Sequence, residues 1–174
     1  DKQEKDLARL NSLKKPLRQV INDNFRVLAW SPDDRKVLYV ASRSAELPLI
    51  IKPRLIGINL FTEKRKIETG KVYVYNSKED TNSKVLDGIP QECEETTDTC
   101  RLPISWFPDS GHLIHVHDKQ IDILEYDGTN RTTVYAGPFI EPFVFPWPNG
   151  SQLVILTNLN NPSIAPNLYT ISLK

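Results

Sequence analysis

Short apolar runs separated by turn residues fill most of the chain and predict β-strands. From residue 25 onwards, runs rich in β-branched and aromatic side chains alternate with clusters of Pro, Asp, Asn and Gly. KVLYVAS, KVYVYN, HLIHV and QLVILTN are typical of these runs. Helical patterns of about ten residues do not separate them, which argues against a parallel sheet with crossover helices. The pattern therefore predicts an all-β domain of antiparallel sheets.

A helical pattern comes before the strands, in residues 1–24. Apolar side chains recur there at spacings of three and four, at Leu7, Leu10, Leu13, Leu17 and Ile21. Pro16 interrupts the pattern. It fits either a second short helix capped by Ser12 with Pro16 in or near its first turn, or one helix kinked at Pro16. We interpret residues 1–24 as a helical segment packed on the β-domain, with a linker or partner helix as the alternative.

The strongest signal is an internal repeat built around a proline. Its shared positions are Trp30, Pro32 and Asp33 in the first copy, Trp106, Pro108 and Asp109 in the second, and Trp147 and Pro148 in the third. In each copy the next strand begins five positions after the proline, and the last two prolines are 40 residues apart. Pro opens a turn, Asp accepts hydrogen bonds within it, and Trp offers a large ring for burial. We therefore predict that Trp30 and Trp106 are buried between adjacent sheets, with Pro32 and Pro108 in hairpin turns.

This motif, followed by a strand that ends in Tyr-Asn or Tyr-Asp, resembles the WD40-like repeat of bacterial TolB-type β-propellers. The resemblance covers residues 25–174 and divides them into three blades of the four-stranded type, at about 25–88, 101–137 and 139–174. Residues 43–70 are inserted in the first blade, and the third ends near its third strand. Closed propellers have about four to eight blades, so a partial propeller is implied, an arc of about three blades. The resemblance also implies a bacterial protein of the periplasm or cell surface.

An arc of blades exposes apolar sheet faces at its two ends. The Leu7, Leu10 and Leu17 stripe could cover one end, and the apolar part of the insertion, residues 47–56, another exposed surface. Alternatively, two chains could pair their open faces into a ring of roughly six blades. We favour capping by the chain's own segments, because dimerisation costs association entropy. For residues 47–57 the preferred interpretation is cover for an open strand edge, and contact with a partner is the alternative.

Histidines provide the main candidate for metal chemistry. His115 and His117 would point to the same face of a strand. Zinc needs at least three well-placed protein ligands, and the sequence shows only these two. We therefore expect no tightly bound transition metal and keep His115 and His117 as weak candidates. The basic run at residues 64–66 is interpreted as solvated.

The two cysteines, Cys93 and Cys100, bracket a short acidic segment. Their even count and close spacing favour a disulfide that closes one loop, which an oxidising compartment would permit. The alternative is two free thiols in a cytosolic protein.

Composition and missing motifs exclude several functions. The 22 basic and 22 acidic residues give a formal net charge of zero, which argues against a dedicated nucleic-acid binder. No apolar run reaches the roughly 18 residues of a membrane span. The hydrolase, zinc-protease, dinucleotide and P-loop motifs are absent from the sequence.

From these exclusions we expect no enzyme and no cofactor. The chain begins at Asp1 and has no Met, so we expect a piece of a longer protein. The resulting hypothesis is a non-catalytic binding or scaffold module of a larger extracytoplasmic bacterial protein, which presents a surface to a protein or a cell-wall glycan. The alternative is the gating propeller of a peptidase-like enzyme whose catalytic domain lies elsewhere.

Overall fold

The computed structural model describes residues 2–57, 61–90 and 102–173, and divides the chain into two compact units, Asp1–Ile89 and Pro90–Lys174. Among the described residues, two sheets have four strands, one has three and one has two. All of the strand pairs are antiparallel. The prediction of a mostly β protein with a short helical segment at its start is confirmed.

The elements follow one another in a simple order. The helices are α1, Lys2–Ser12, and α2, Lys15–Asn24. The strands of the first unit are β1, Phe25–Trp30; β2, Lys36–Ala41; β3, Ala45–Glu46; β4, Lys66–Ile67; β5, Val72–Asn76; and β6, Thr81–Leu86. The strands of the second unit are β7, Ile104–Trp106; β8, His112–His117; β9, Gln120–Glu125; β10, Thr132–Ala136; β11, Val144–Pro146; β12, Gln152–Thr157; and β13, Asn167–Ser172.

Pro16 separates the two helices, as one of the two alternatives predicted. It lies in the first turn of α2, where the missing N–H of proline leaves no hydrogen bond unmade. The residue that precedes α2 is Lys14, which makes no side-chain cap. The hydroxyl of Ser12 instead donates to the carbonyl of Arg9 at 2.6 Å. The expectation that Ser12 caps the second helix is therefore wrong.

The main sheet of the first unit has the strand order β1-β2-β5-β6, with the insertion between β2 and β5. Each strand pairs with its neighbour in an up-and-down arrangement, the topology of a propeller blade. One face carries Tyr39 and Tyr73, both buried, and joins a single apolar cluster with Leu17, Val20 and Ile21 of α2. The helical segment is therefore held to this sheet by its apolar side.

The apolar segments expected to cap two different surfaces meet on the same one. Leu17 is buried in the cluster and Leu10 packs against it, whereas Leu7 is 59% exposed. From the insertion, Leu47 is buried in this same cluster, whereas Ile56 is fully exposed. The insertion therefore adds to the cover that the helices provide instead of packing on a separate surface.

A different part of the insertion covers the edge of the sheet. Glu63 forms an antiparallel bridge with Ser83 of the edge strand β6. The N–H of Lys64 donates to the carbonyl of Asn82 at 2.6 Å, and the Asn82 amide donates back to the Lys64 carbonyl at 2.7 Å. Residues 62–64 therefore cover this edge. The interpretation of the apolar run 47–57 as the edge cover is corrected, because its Leu47 is buried in the apolar cluster instead. The two-stranded ribbon of β3 and β4 was not predicted.

The second unit contains two sheets that pack face to face. The sheet β7–β10 contributes Ile114, Val116 and Ile121 to an apolar cluster, and the sheet β11–β13 contributes Leu153 and Ile155. The first of these sheets has the four strands predicted for a blade. The second has three among the described residues, in agreement with a third copy that ends near its third strand.

The repeated motif forms the turns expected of it. Trp30 is 7% exposed and Trp106 is 9% exposed, so both rings are buried as predicted. Trp30 belongs to the apolar cluster that contains α2, and burial between adjacent sheets stays a prediction. Pro32 and Pro108 lie in the turns that join β1 to β2 and β7 to β8. The third copy differs, because Trp147 is 48% exposed.

The turn of the third copy brings Gly150 close to an aromatic ring. Gly150 has a φ of +70°, and a Cβ placed there would lie 2.9 Å from the ring of Phe107, which directly follows β7. Asp34 and Ser110 occupy the corresponding positions of the other two copies at φ values of 59° and 60°, so the left-handed backbone alone does not require glycine. The close approach to Phe107 is therefore the reason that glycine suits this position.

Candidate functional site

The carboxylates of the repeated motif close their own turns. Asp33 accepts hydrogen bonds from the hydroxyl of Ser31 at 2.6 Å and from the N–H of Arg35 at 3.2 Å. Asp109 accepts from the N–H of Gly111 at 2.8 Å. These contacts are local turn hydrogen bonds of the kind that Asp commonly makes. The repeated carboxylates of the motif are therefore explained by the construction of its turns.

Arg65 corrects the interpretation of residues 64–66 as a solvated run. Its side chain is only 15% exposed. Its Nε lies 2.7 Å from Glu63 Oε1, and its Nη1 lies 3.0 Å from Asp80 Oδ1. Glu63 also pairs with Arg54 at 2.8 Å, so the insertion carries a connected ion network.

Asp80 is the centre of that network and was missed in the sequence. Its carboxylate is fully buried and accepts from the N–H groups of Ile50 and Ile51, at 2.6 and 2.9 Å, and from the Tyr75 hydroxyl at 2.8 Å. Burial acts to raise the pKa of Asp80, but these hydrogen bonds and that of Arg65 hold the pKa below its usual value. Asp80 thus fastens the insertion to the sheet as an anion.

A second polar cluster lies on the sheet β7–β10 and includes both predicted histidines. His115 on β8 stands opposite Asp122 on β9. His117 Nε2 lies 2.9 Å from Asp122 Oδ2, and one ligand atom from each of these three side chains lies within 4.8 Å of the others. The structure therefore supplies the third ligand that the sequence did not show.

Arg131 places a positive charge in this cluster. Its Nη1 donates to His115 Nδ1 at 2.8 Å and to Asp122 Oδ2 at 3.2 Å. Thr133 donates to the other oxygen of Asp122 at 2.7 Å. A metal ion on His115 and Asp122 would have to displace the guanidinium and its charge-assisted hydrogen bonds. The absence of a tightly bound transition metal stays a prediction, and Arg131 adds a physical reason for it.

The surroundings shift the pKa values of the two histidines in opposite directions. Burial, reinforced by the charge of Arg131, lowers the pKa of His115 to about 4. The hydrogen bond to Asp122 raises the pKa of His117. Burial acts to raise the pKa of Asp122, but hydrogen bonds from His117, Thr133 and Arg131 hold it below its usual value. Around neutral pH, His115 is therefore a neutral acceptor for the guanidinium.

A pH titration followed by NMR should separate the two rings. We expect the imidazole signals of His115 to titrate near pH 4 and those of His117 at a higher pH than an ordinary imidazole. Between pH 4 and the ordinary histidine pKa of 6.5, the unfolded chain binds a proton at His115 that the folded chain does not, so this site lowers the free energy of unfolding as the pH falls. His117 does the reverse, adding stability at low pH that is lost as the pH rises. His115→Asn and His117→Asn assign the signals, and coincident titration of both rings would contradict the cluster.

A third feature is an exposed apolar face on the sheet β11–β13. Cross-strand pairing puts Phe145 beside Val154 and Leu156 beside Leu168, and Trp147 continues the same side of β11. We call these five side chains the outer face. Phe145 is 45% exposed, Trp147 48% and Leu168 68%. The opposite side of this sheet is the one that packs on β7–β10.

The segment that forms the outer face carries no charge. Residues 142–173 contain no Asp, Glu, Lys, Arg or His, although 25% of the chain is charged. Protein surfaces in contact with water usually intersperse charges of both signs. An exposed apolar surface without charges is the usual mark of a binding site. The sequence analysis missed this site, although the stretch without charged residues can be seen in the sequence.

Two further predictions concern the disulfide and membrane-spanning segments. Cys93 and Cys100 lie outside them, so the disulfide stays a prediction. None of the helices in the described ranges is long and apolar enough to cross a membrane.

Comparisons with known proteins return structures only. No protein family model and no curated protein matches the chain. A TolB-like protein from Agrobacterium tumefaciens is similar at 13% identity with a TM-score of 0.43, over 85% of this chain and 47% of that protein. An oligogalacturonate lyase from Vibrio parahaemolyticus is similar at 10% identity with a TM-score of 0.43, over 86% of this chain and 36% of that protein. The chain thus spans less than half the length of either.

The second match corrects one expectation. The sequence was interpreted as that of a non-catalytic chain, but a protein with a similar arrangement of sheets is a lyase and therefore an enzyme. The missing catalytic motifs do not decide the matter, because the motifs searched cover only a few reaction types. The expectation of no enzyme is withdrawn.

Proposed function

We propose that the chain is part of a β-propeller in a larger bacterial protein outside the cytoplasm, and that it binds another protein through the outer face. The observation that carries the proposal is the exposure of Trp147 and Leu168 on one side of a sheet that has no charged residues. Aromatic side chains are enriched in protein interfaces, and charged ones are depleted from interface cores.

The internal repeat supports this use of the outer face. When the second and third copies are aligned on their prolines, Ile114 and Val116 of β8 correspond to Val154 and Leu156 of β12. On β8 these positions face a neighbouring sheet and lie in an apolar cluster. The corresponding positions on β12 belong to the outer face, so the repeat predicts that a sheet-like protein surface packs there.

A protein suits this surface better than a glycan. Sugars stack on aromatic rings but also need polar side chains for their hydroxyl groups. The outer face combines Trp147 with the aliphatic side chains of Val154, Leu156 and Leu168. The polar residues that the strand register puts on the same side are uncharged, namely Gln152, Thr170 and Ser172. Such a mixture matches the apolar core of a protein interface.

The extracytoplasmic location is supported by the sequence alone. The TolB-type motif at Trp30, Pro32 and Asp33 and at Trp106, Pro108 and Asp109 resembles that of periplasmic and surface proteins. A disulfide between Cys93 and Cys100 would form and persist in an oxidising compartment. Thiol titration of the denatured, unreduced protein purified from the periplasm should find no free thiol, and two reactive thiols would remove this support.

Site-directed photo-crosslinking tests the binding proposal. A benzophenone side chain replaces Trp147 in the full-length protein within bacterial cells, and the matched control replaces Leu159, which is 57% exposed but lies outside the strands. We expect an intermolecular adduct at position 147 that contains a second polypeptide, and at least about tenfold less at position 159. Equal yields at both positions, a protein-free adduct, or a link within one molecule would each overturn the proposal.

A further inference from the structure

We propose that the partner of the outer face is the outer face of a second copy of this chain, in a two-fold symmetric dimer. This inference rests on the proposed function and names its partner. Two sheets then pack face to face, about 10 Å apart, with the apolar side chains of β11–β13 from both copies between them. In such an interface the same surface patch serves both copies.

Charge is the first argument for a second copy. All 22 basic and all 22 acidic residues lie outside residues 142–173. A partner with ordinary surface charges would have to desolvate them against an apolar sheet that offers no counter-ion, which is unfavourable. A second copy of the outer face brings no charges, and its own exposed Trp147 and Leu168 need the same cover.

The second argument concerns the first unit. In a head-to-tail arrangement, the outer face of one copy would pack on the apolar cluster in the first unit of the next copy. In that unit the sheet face with Tyr39 and Tyr73 is already packed against Leu17, Val20 and Ile21. In the described part of that unit, this face is therefore already covered and is not open to a second copy. A contact between identical faces uses up both faces, so the assembly stops at two copies. A head-to-tail contact leaves a free face at each end, so it continues into a filament unless the copies form a closed ring.

Sedimentation equilibrium across a concentration series tests the dimer on the purified full-length protein. We expect a mass that approaches twice the mass of one copy with rising concentration. Leu168→Lys places a charge from each copy inside the interface and should raise the dissociation constant at least about 100-fold. Leu159→Lys makes the same change at a similarly exposed leucine outside the strands and should leave the dissociation constant within about twofold.

The outcomes are distinct. A chain that is monomeric at all concentrations overturns the dimer, and so does a Leu168→Lys variant that dimerises like the unaltered chain. Circular dichroism checks that each variant is folded, and Trp147→Lys replaces Leu168→Lys if the latter is not. A monomeric chain whose position 147 crosslinks to a different protein would contradict the dimer alone and leave the proposed binding function standing.

Discussion

Replacing Asp80 with Ala should lower the free energy of unfolding by about 3–5 kcal/mol, the range found when one partner of a buried ion pair is removed. The carboxylate is fully buried and accepts hydrogen bonds from two backbone N–H groups, a tyrosine hydroxyl and Arg65. Its loss leaves two N–H groups and the Tyr75 hydroxyl without their acceptor, and leaves the guanidinium of Arg65, which is 15% exposed, with Glu63 as its remaining counter-charge. Urea unfolding followed by circular dichroism measures the change.

The control for this change is Asp87→Ala. Asp87 pairs with Lys84 at 2.8 Å, but its side chain is 83% exposed, so water screens the ion pair and its loss should change the free energy of unfolding far less than the loss of Asp80. Hydrogen exchange adds a local readout, because the N–H groups of Ile50 and Ile51 should lose protection only in the Asp80 variant. Equal losses of stability in both variants would show that Asp80 does not fasten the insertion.

Leu153→Ala should lower the free energy of unfolding by about 2–5 kcal/mol, the range for removing a buried leucine side chain from a core. Leu153 is fully buried on β12, and its cluster contains residues of both sheets of the second unit. The cavity would therefore open where those sheets meet.

Leu159→Ala is the matched control for this core change. Leu159 is 57% exposed, so its truncation should alter stability by no more than about 0.5 kcal/mol. Thermal and urea unfolding at low protein concentration compare the two variants. If Leu153→Ala proves as mild as the control, the packing of β11–β13 on β7–β10 is contradicted.

The strands and turns were predictable because their signals are local. Each motif turn depends on a proline and on an Asp or Asn that hydrogen-bonds within a few residues of itself, and apolar alternation follows at once. The ribbon of β3 and β4 was missed because two residues per strand show no alternation. Ser12 was chosen as a helix cap from its residue type, whereas the break at Pro16 places Lys14 in that position.

The candidate sites depended on distant pairing and were harder to predict. Arg65 sits in a basic run, and nothing local indicates that Asp80, fifteen positions later, folds onto it. Asp122 could have been found, because Asp118 and Lys119 form a two-residue hairpin turn. Such a turn sets 117 opposite 120 and 115 opposite 122, the register that the structure shows.

The lack of Lys and Arg in residues 142–173 also removes the sites at which trypsin and amine-directed labelling reagents react. Trypsin-like enzymes cut after Lys or Arg, and between Arg131 and Lys174 there is neither. The strands β10 to β13 therefore give trypsin no cleavage site within them even when unfolded, and amine-directed reagents find no lysine on β11–β13. A digest of the intact chain should yield one long peptide beginning at Thr132, which carries the entire outer face.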